Sequence, residues 1–179
     1  GEKDAEHLGI NVEKTKKLED YNKTEASEEE TEGLVKNELE QVKMILGKTD
    51  VEGQGITITL QENKDAEAGI TSDNLNMIVN ELKNAGAEAI SINGQRIIQT
   101  TAITCEGNVI KINGQRVSSP FTIKAIGSQG LLYGSLTMIG GYLYILDEAG
   151  VIVETTQSDN LTVEKDTGVI SYKYMKNEK

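Results

Sequence analysis

The chain contains only two arginines, and each ends one copy of the pentapeptide INGQR, at residues 92–96 and 112–116. A guanidinium group donates hydrogen bonds from a planar fork that matches the oxygens of a carboxylate or a phosphate. If the two copies converge, they form a candidate interaction or anion site. That site comprises the asparagine and the arginine of each copy: Asn93, Arg96, Asn113 and Arg116.

The repeat also has a geometric interpretation. Each Asn-Gly pair follows an alternating strand pattern, and both residue types tolerate the positive φ that turns and bulges require. The two arginines would then extend from these turns and bind backbone carbonyls or a carboxylate on the acidic surface. The sequence predicts turns or bulges at both copies and leaves the anion site as the alternative.

Other residues that could do chemistry are scarce. His7 is the only histidine and lies in a charged N-terminal segment. Cys105 is the only cysteine, at an alternating strand position that predicts a small buried side chain and not a nucleophile. Gly53 and Gly55 precede a strand and lack the third glycine of a dinucleotide-binding loop. We therefore predict no catalytic residue, no metal site, no cofactor and no enzymatic activity.

The composition limits the partners. A net charge of −11 over 179 residues argues against binding the phosphate backbone of a nucleic acid, which needs lysines and arginines. No apolar run approaches the roughly 18 residues that span a bilayer. The chain nevertheless begins with Gly1 and not with Met, so we expect a membrane or targeting segment upstream of this sequence.

Residues 1–50 are predicted to be a charged tether followed by an amphipathic helix. Apolar residues are sparse before residue 33, and Gly47 is expected to end the helix. Between them lie four apolar residues at the spacing of heptad a and d positions: Val35, Leu39, Val42 and Leu46. Two interpretations stay open. The helix packs on its own domain, or it is the end of a longer coiled coil that lies mostly upstream.

Residues 51–179 are predicted to be an α+β globular domain. "ITITL" at 56–60 alternates like a strand, and "TSDNLNMIVNELKNAGA" at 71–87 has the caps and apolar stripe of a helix. "VIVETT", "LTVEK" and "VISYKY" are strand candidates near the end. The order predicts a split β-α-β, ferredoxin-like sandwich, an antiparallel sheet with helices on one face, preceded by an N-terminal helix of coiled-coil character.

The segments "GQGITITL", "LNMIVNELKNAGAEAISINGQRI", "NVIKINGQ" and "PFTIKAIGS" resemble the bacterial family called domain of unknown function 881, which includes YlxW- and YlxX-type proteins. The resemblance covers roughly residues 35–175. Where this chain has "GQG", the family often has Gly-Pro-Gly, so the resemblance implies a looser turn here. No catalytic residues are assigned in the family, and none are transferred to this chain.

The resemblance also implies a cellular location and a role. Family members typically have an N-terminal membrane segment, a coiled coil and then this domain outside the membrane, and their genes commonly lie near division or sporulation genes. We therefore expect a membrane-anchored envelope protein at the extracytoplasmic face. We expect it to act as a non-enzymatic scaffold or interaction module with protein partners, including self-association through the N-terminal helix. The alternative is an extracytoplasmic ligand-binding or hydrolytic domain.

Overall fold

A computed structural model describes residues 27–169 and 173–178 of the chain. The chain divides into two compact units, Gly1–Lys43 and Met44–Lys179. Residues 1–26 of the predicted tether, which include His7, lie outside the described residues. The secondary structure is mixed, with helices and antiparallel sheets, as the sequence predicts.

The first helix, α1, spans Ser27–Ile45. Its first turn carries three glutamates, at positions 28 to 30, where the positive end of the helix dipole favours negative charge. Gly47 adopts a φ of 75°, and its amide donates to the carbonyl of Met44 at 3.1 Å, so the helix ends where the sequence predicts.

The described part of the second unit contains three helices and eight strands. The helices are α2 (Ser72–Asn84), α3 (Gln129–Thr137) and α4 (Tyr142–Glu148). The strands are β1 (Val51–Gln61), β2 (Ala89–Ile92), β3 (Gln95–Arg96), β4 (Ile103–Glu106), β5 (Val109–Ile112), β6 (Gln115–Val117), β7 (Phe121–Ile126) and β8 (Ile152–Val163).

Two antiparallel sheets organise these strands. The larger sheet has the order β3-β2-β7-β1-β8, and the smaller sheet has the order β4-β5-β6. Along β1 the buried side chains alternate, and they lie opposite buried residues of β7: Ile56 opposite Ala125, Ile58 opposite Ile123 and Leu60 opposite Phe121. The predicted strand at 56–60 is therefore confirmed, with one fully buried face.

The glycines of "GQG" are part of β1, so the prediction of a turn at this position is wrong. β1 begins at Val51, and its pairing with β8 shifts register between Gly53 and Gly55. A Cβ atom added to Gly55 would overlap the carbonyl oxygen of Ala125 on β7. Glycine is needed here because two backbones approach closely, and the change of register is a bulge within a strand.

Three helices cover the buried face of the larger sheet. In α2, Thr71 accepts the amide of Asn74, whose side chain accepts the amide of Thr71 in return, which is a capping box. Eight helical residues join the same buried cluster as the sheet: Leu75, Ile78, Val79, Leu82, Leu132, Leu136, Leu143 and Leu146. The helix predicted over 71–87 is thus confirmed.

The end of the chain differs from its prediction. Residues 152–156 of "VIVETT" and 161–163 of "LTVEK" belong to the single strand β8, in which twelve residues run from Ile152 to Val163. Of "VISYKY", residues 169, 173 and 174 are not in a strand, and residues 170–172 lie outside the described range. The sequence suggested two strands because polar residues interrupt the apolar pattern at 157–160, where β8 has its irregular pairing with β1.

Candidate functional site

The two copies of INGQR form two hairpins with the same local geometry. In the first, Ile92 pairs with Gln95 across Asn93 and Gly94, whose φ values are 49° and 78°. In the second, Ile112 pairs with Gln115 across Asn113 and Gly114, whose φ values are 52° and 75°. Two central residues with positive φ are the signature of the tight turn that matches the twist of paired strands. The turns predicted from Asn-Gly are confirmed.

The asparagine side chains connect each turn to a different part of the fold. Asn93 Oδ1 accepts the amide of Thr122 at 2.7 Å, and its Nδ2 donates to the carbonyl of Ser118 at 3.2 Å. Asn113 Nδ2 donates to the carbonyl of Arg96 at 2.9 Å. The first asparagine therefore fixes the entry to β7, and the second joins the smaller sheet to the first copy of the repeat.

Arg96 is buried, with 4% of its surface exposed. Its Nη1 donates to the carbonyls of Thr49 at 3.0 Å and Glu164 at 3.3 Å, and its Nη2 donates to the carbonyl of Met44 at 3.4 Å. We call this arrangement, Arg96 with the carbonyls of residues 44, 49 and 164, the Arg96 clasp. It joins the segment before β1, the edge strand β3 and the residue after β8.

Charged neighbours surround the clasp. Lys48 forms an ion pair with Asp166 at 2.7 Å, and the Asp50 carboxylate accepts the amide of Lys165 at 2.7 Å. Burial lowers the pKa of Arg96 from its ordinary value, while the carboxylates of Asp50 and Asp166 act in the opposite direction. The guanidinium stays charged at neutral pH, because the ordinary pKa of arginine lies far above neutrality.

Arg116 has a different environment, although its local sequence is the same. It lies opposite Lys111 in the smaller sheet, and its side chain is exposed. Among the hydrogen bonds and ion pairs between described residues, its guanidinium has no partner. Arg96 contacts the backbone of its own chain, whereas Arg116 is the arginine of the repeat that a ligand or partner could reach.

The prediction that Cys105 is buried is wrong. The side chain was expected to be a small buried residue, but the thiol is exposed on β4, and Sγ lies 3.0 Å from the carbonyl of Gly107. β4 belongs to the smaller sheet, in which Ile103 is the buried residue of the strand. Ile103 and Cys105 lie on the same face of this strand, and the alternating pattern could not tell how far along that face the core would extend. Among the described residues, no three metal-binding side chains cluster in a way that could hold an ion.

A second surface was not anticipated from the sequence. β8 is an edge of the larger sheet, and no strand within residues 27–169 and 173–178 pairs with its outer side. Beside it lies a surface pocket of about 240 Å³. Its lining includes side chains from all three neighbouring elements: Tyr133 of α3, Leu143, Tyr144 and Asp147 of α4, and Val153 and Thr155 of β8. We call these residues the β8 pocket.

The apolar stripe of α1 is a third exposed feature. Val35, Leu39 and Val42 are 58%, 50% and 49% exposed, and Leu46 just beyond the helix is 47% exposed. Each of these four side chains is therefore about half exposed. In the part of the chain that the structure describes, no helix combines the length and the hydropathy that a membrane crossing requires.

Comparison with known proteins finds a matching protein family. Residues 38–176 match the family described as "Bacterial protein of unknown function (DUF881)". The UPF0749 protein YlxW of Bacillus subtilis is 29% identical over 137 residues, which are 73% of this chain and 59% of that protein. The UPF0749 protein YlxX of the same organism is 34% identical over 118 residues, which are 62% of this chain and 49% of that protein. The chain thus spans about half to three fifths of the length of these relatives.

A solved structure has a similar fold. The crystal structure of an uncharacterized conserved protein from Mycobacterium tuberculosis superposes with a TM-score of 0.66 at 23% sequence identity. The superposition covers 79% of this chain and 99% of that chain. At this identity the similarity concerns the fold alone.

Proposed function

The chain belongs to the bacterial DUF881 family, and from that premise we propose that it is a non-enzymatic, membrane-anchored envelope protein that acts as a scaffold or interaction module in cell division or sporulation. The observation that carries this proposal is the exposed apolar stripe of α1. The association with division or sporulation comes from the family resemblance. The absence of an enzymatic role is supported by the single histidine and single cysteine of the whole sequence.

The stripe on α1 suits a second copy of the same helix. Its residues repeat at heptad a and d spacing, which two parallel helices bury between them. Covering one half-exposed valine or leucine contributes about 1 kcal/mol, so four such residues on each of two copies give about 8 kcal/mol. Association itself costs about 4–15 kcal/mol. The isolated pair is therefore weak, and it becomes effective when anchoring holds many copies close together.

This balance can be measured on vesicles. The exposed thiol of Cys105 takes a donor or an acceptor dye, and an N-terminal polyhistidine tag anchors the chain to nickel-chelating lipids. We expect energy transfer between copies to rise with surface density. Leu39→Asp combined with Val42→Asp should abolish it, because charge enters the apolar stripe. The control, Asn37→Asp with Gln41→Asp, adds the same charge elsewhere on α1 and should preserve transfer.

The vesicle measurement can also contradict the proposal. Energy transfer that does not depend on density, or that is equal in both double variants, would rule out self-association through α1. In cells, we expect the stripe variant to lose its position at division or sporulation sites while its domain stays folded. Normal position and growth of that strain would refute the scaffold role.

The alternative function is an extracytoplasmic ligand-binding or hydrolytic domain. The exposure of Arg116 favours it, since an exposed guanidinium can donate hydrogen bonds to an anionic group. Binding of a phosphorylated or carboxylated cell-wall fragment that is lost in Arg116→Met would support it. Turnover of such a fragment by the purified chain would replace the scaffold proposal.

We further propose that the second unit is a ferredoxin-like split β-α-β domain with an insertion. The strand order β2-β7-β1-β8 supports this arrangement, since the chain order β1, α2, β2, β7, helices, β8 then gives an antiparallel sheet. The smaller sheet, β4-β5-β6, lies between β3 and β7 in the sequence and is the insertion. An experimental structure with a parallel pair among these four strands would contradict it.

A further inference from the structure

Within the residues that the structure describes, the outer edge of β8 has no strand partner over an unusual length, which leaves its backbone groups available. Residues 152–158 pair in continuous register with residues 61–55 of β1, and the strand continues to Val163. Strands average about 5–6 residues, and native proteins usually keep open edges short or covered. In an antiparallel sheet, alternate residues of such an edge direct their amide and carbonyl groups away from the neighbouring strand. These groups can pair with an added strand.

The β8 pocket lies on the same side of the sheet as the helices. Val153 and Thr155 line it, and they lie opposite the buried Leu60 and Ile58 of β1. Side chains of a strand alternate between the two faces of a sheet. A strand added to β8 would therefore run past the pocket, and every second side chain of that strand would lie on the pocket side.

The charge of the region around β8 indicates which kind of added strand it would bind. Residues 125–164, which include α3, α4 and β8, contain no lysine, arginine or histidine and five carboxylates: Asp147, Glu148, Glu154, Asp159 and Glu164. Within the pocket, the carboxylate of Asp147 and the rings of Tyr133 and Tyr144 attract a cation. A second copy of the same edge would bring carboxylates near carboxylates. The charge thus disfavours β8 pairing between copies and favours a basic partner.

We propose that the β8 edge binds an extended, basic segment of a partner protein. The segment adds a strand to the larger sheet and places one lysine or arginine side chain in the β8 pocket, against Asp147 and the two tyrosines. This proposal rests on the interaction role proposed above and deepens it by naming the class of partner. It uses a surface other than the stripe of α1, so the two proposals fail separately.

The first test uses labelled peptides as long as the regular part of the edge. One peptide alternates lysine with valine or threonine, and the control peptide has glutamate in place of every lysine. We expect fluorescence anisotropy with the 179-residue chain to report binding of the lysine peptide, weakening as salt is added, and no binding of the glutamate peptide. No binding of the lysine peptide up to about 1 mM, or equal binding of both peptides, would overturn the proposal.

The second test asks whether the peptide binds as a strand. Two versions of the lysine peptide carry N-methyl groups on alternate amides, one on the odd and one on the even positions. Only one set of amides faces β8 in an added strand, so one version should lose binding and the other should keep it. If both versions bind like the unmodified peptide, the contact is not strand addition and the proposal is wrong.

The third test locates the cation. Asp147→Asn removes the pocket carboxylate and should weaken the lysine peptide about fivefold, and Tyr144→Ala should weaken it by a similar factor. The control Glu148→Gln removes the adjacent carboxylate, which does not line the pocket, and should have a smaller effect. Equal effects of Asp147→Asn and Glu148→Gln would refute the pocket as the site of the cation.

The last control distinguishes the two proposals. The variant Leu39→Asp with Val42→Asp should lose self-association and keep peptide binding. A dimer that survives this change and dissociates on adding the peptide would show that the edge pairs copies of this chain and would overturn the partner proposal. Absence of self-association with intact peptide binding would refute only the role of α1.

Discussion

Replacing Arg96 by methionine removes the guanidinium of the Arg96 clasp and keeps most of its aliphatic stem. The variant loses hydrogen bonds of 3.0, 3.3 and 3.4 Å and leaves the carbonyls of residues 44, 49 and 164 without this donor. A hydrogen bond to a charged group contributes about 1.5–3 kcal/mol, but two of these bonds are long. We expect a loss of about 2–4 kcal/mol in the free energy of unfolding.

The same substitution in the second copy of the repeat is the control. Arg116 ends the same pentapeptide and follows the same turn, but its side chain is exposed, so Arg116→Met should change stability by less than about 0.5 kcal/mol. Because the local sequence is identical, the difference between the two variants reports tertiary contacts alone.

Urea unfolding followed by far-ultraviolet circular dichroism measures both values. For a chain of this size, about 2–4 °C in Tm corresponds to 1 kcal/mol, so Arg96→Met should lower Tm by about 4–16 °C. Arg96→Lys should fall between the wild type and Arg96→Met, since one ammonium cannot donate to all three carbonyls in the same geometry. Stabilities of Arg96→Met and Arg116→Met that agree within about 0.5 kcal/mol would refute the clasp.

Three further predictions concern glycines and the thiol. Gly94→Val and Gly114→Val should each destabilise by about 1–2 kcal/mol, and by similar amounts, because both sites have positive φ and open space for the side chain; urea midpoints that differ widely would contradict this. Gly55→Ala should lower the free energy of unfolding by more than about 3 kcal/mol or prevent folding. Gly53→Ala should lower it less, because the added Cβ would meet only the side chain of Ile126. Equal thermal midpoints of the two variants would argue against the close approach of β1 and β7. Cys105 in the native chain should react with a thiol reagent at the rate of an unfolded control, and protection that disappears only on unfolding would show that it is buried.

The elements with strong local signals were predictable from the sequence. The helix α2 combines a capping residue, a stripe of apolar residues and a closing glycine, and all three signals agree. The strand at 56–60 alternates strictly, and Asn-Gly pairs favour the positive φ of a tight turn between strands. In each case the information lies within a few residues, so one sequence is enough to read it.

Features that depend on distant residues were not predictable in the same way. The exposure of Cys105 depends on how far along β4 the core covers the face that Cys105 shares with Ile103. The place of "GQG" inside β1 depends on the approach of β7, and the open edge of β8 depends on the order of strands in the sheet. The β8 pocket brings together residues 133 and 155, which no local pattern connects.

The INGQR repeat shows most clearly the difference between what local sequence and what tertiary structure determine. The sequence by itself determined that residues 92–96 and 112–116 form the same turn, because φ preferences of Asn and Gly are local. It could not distinguish Arg96 from Arg116, since both follow identical neighbours. Only the tertiary structure buries the first against three carbonyls and leaves the second in solvent, because burial depends on segments 47 and 68 residues away in the chain.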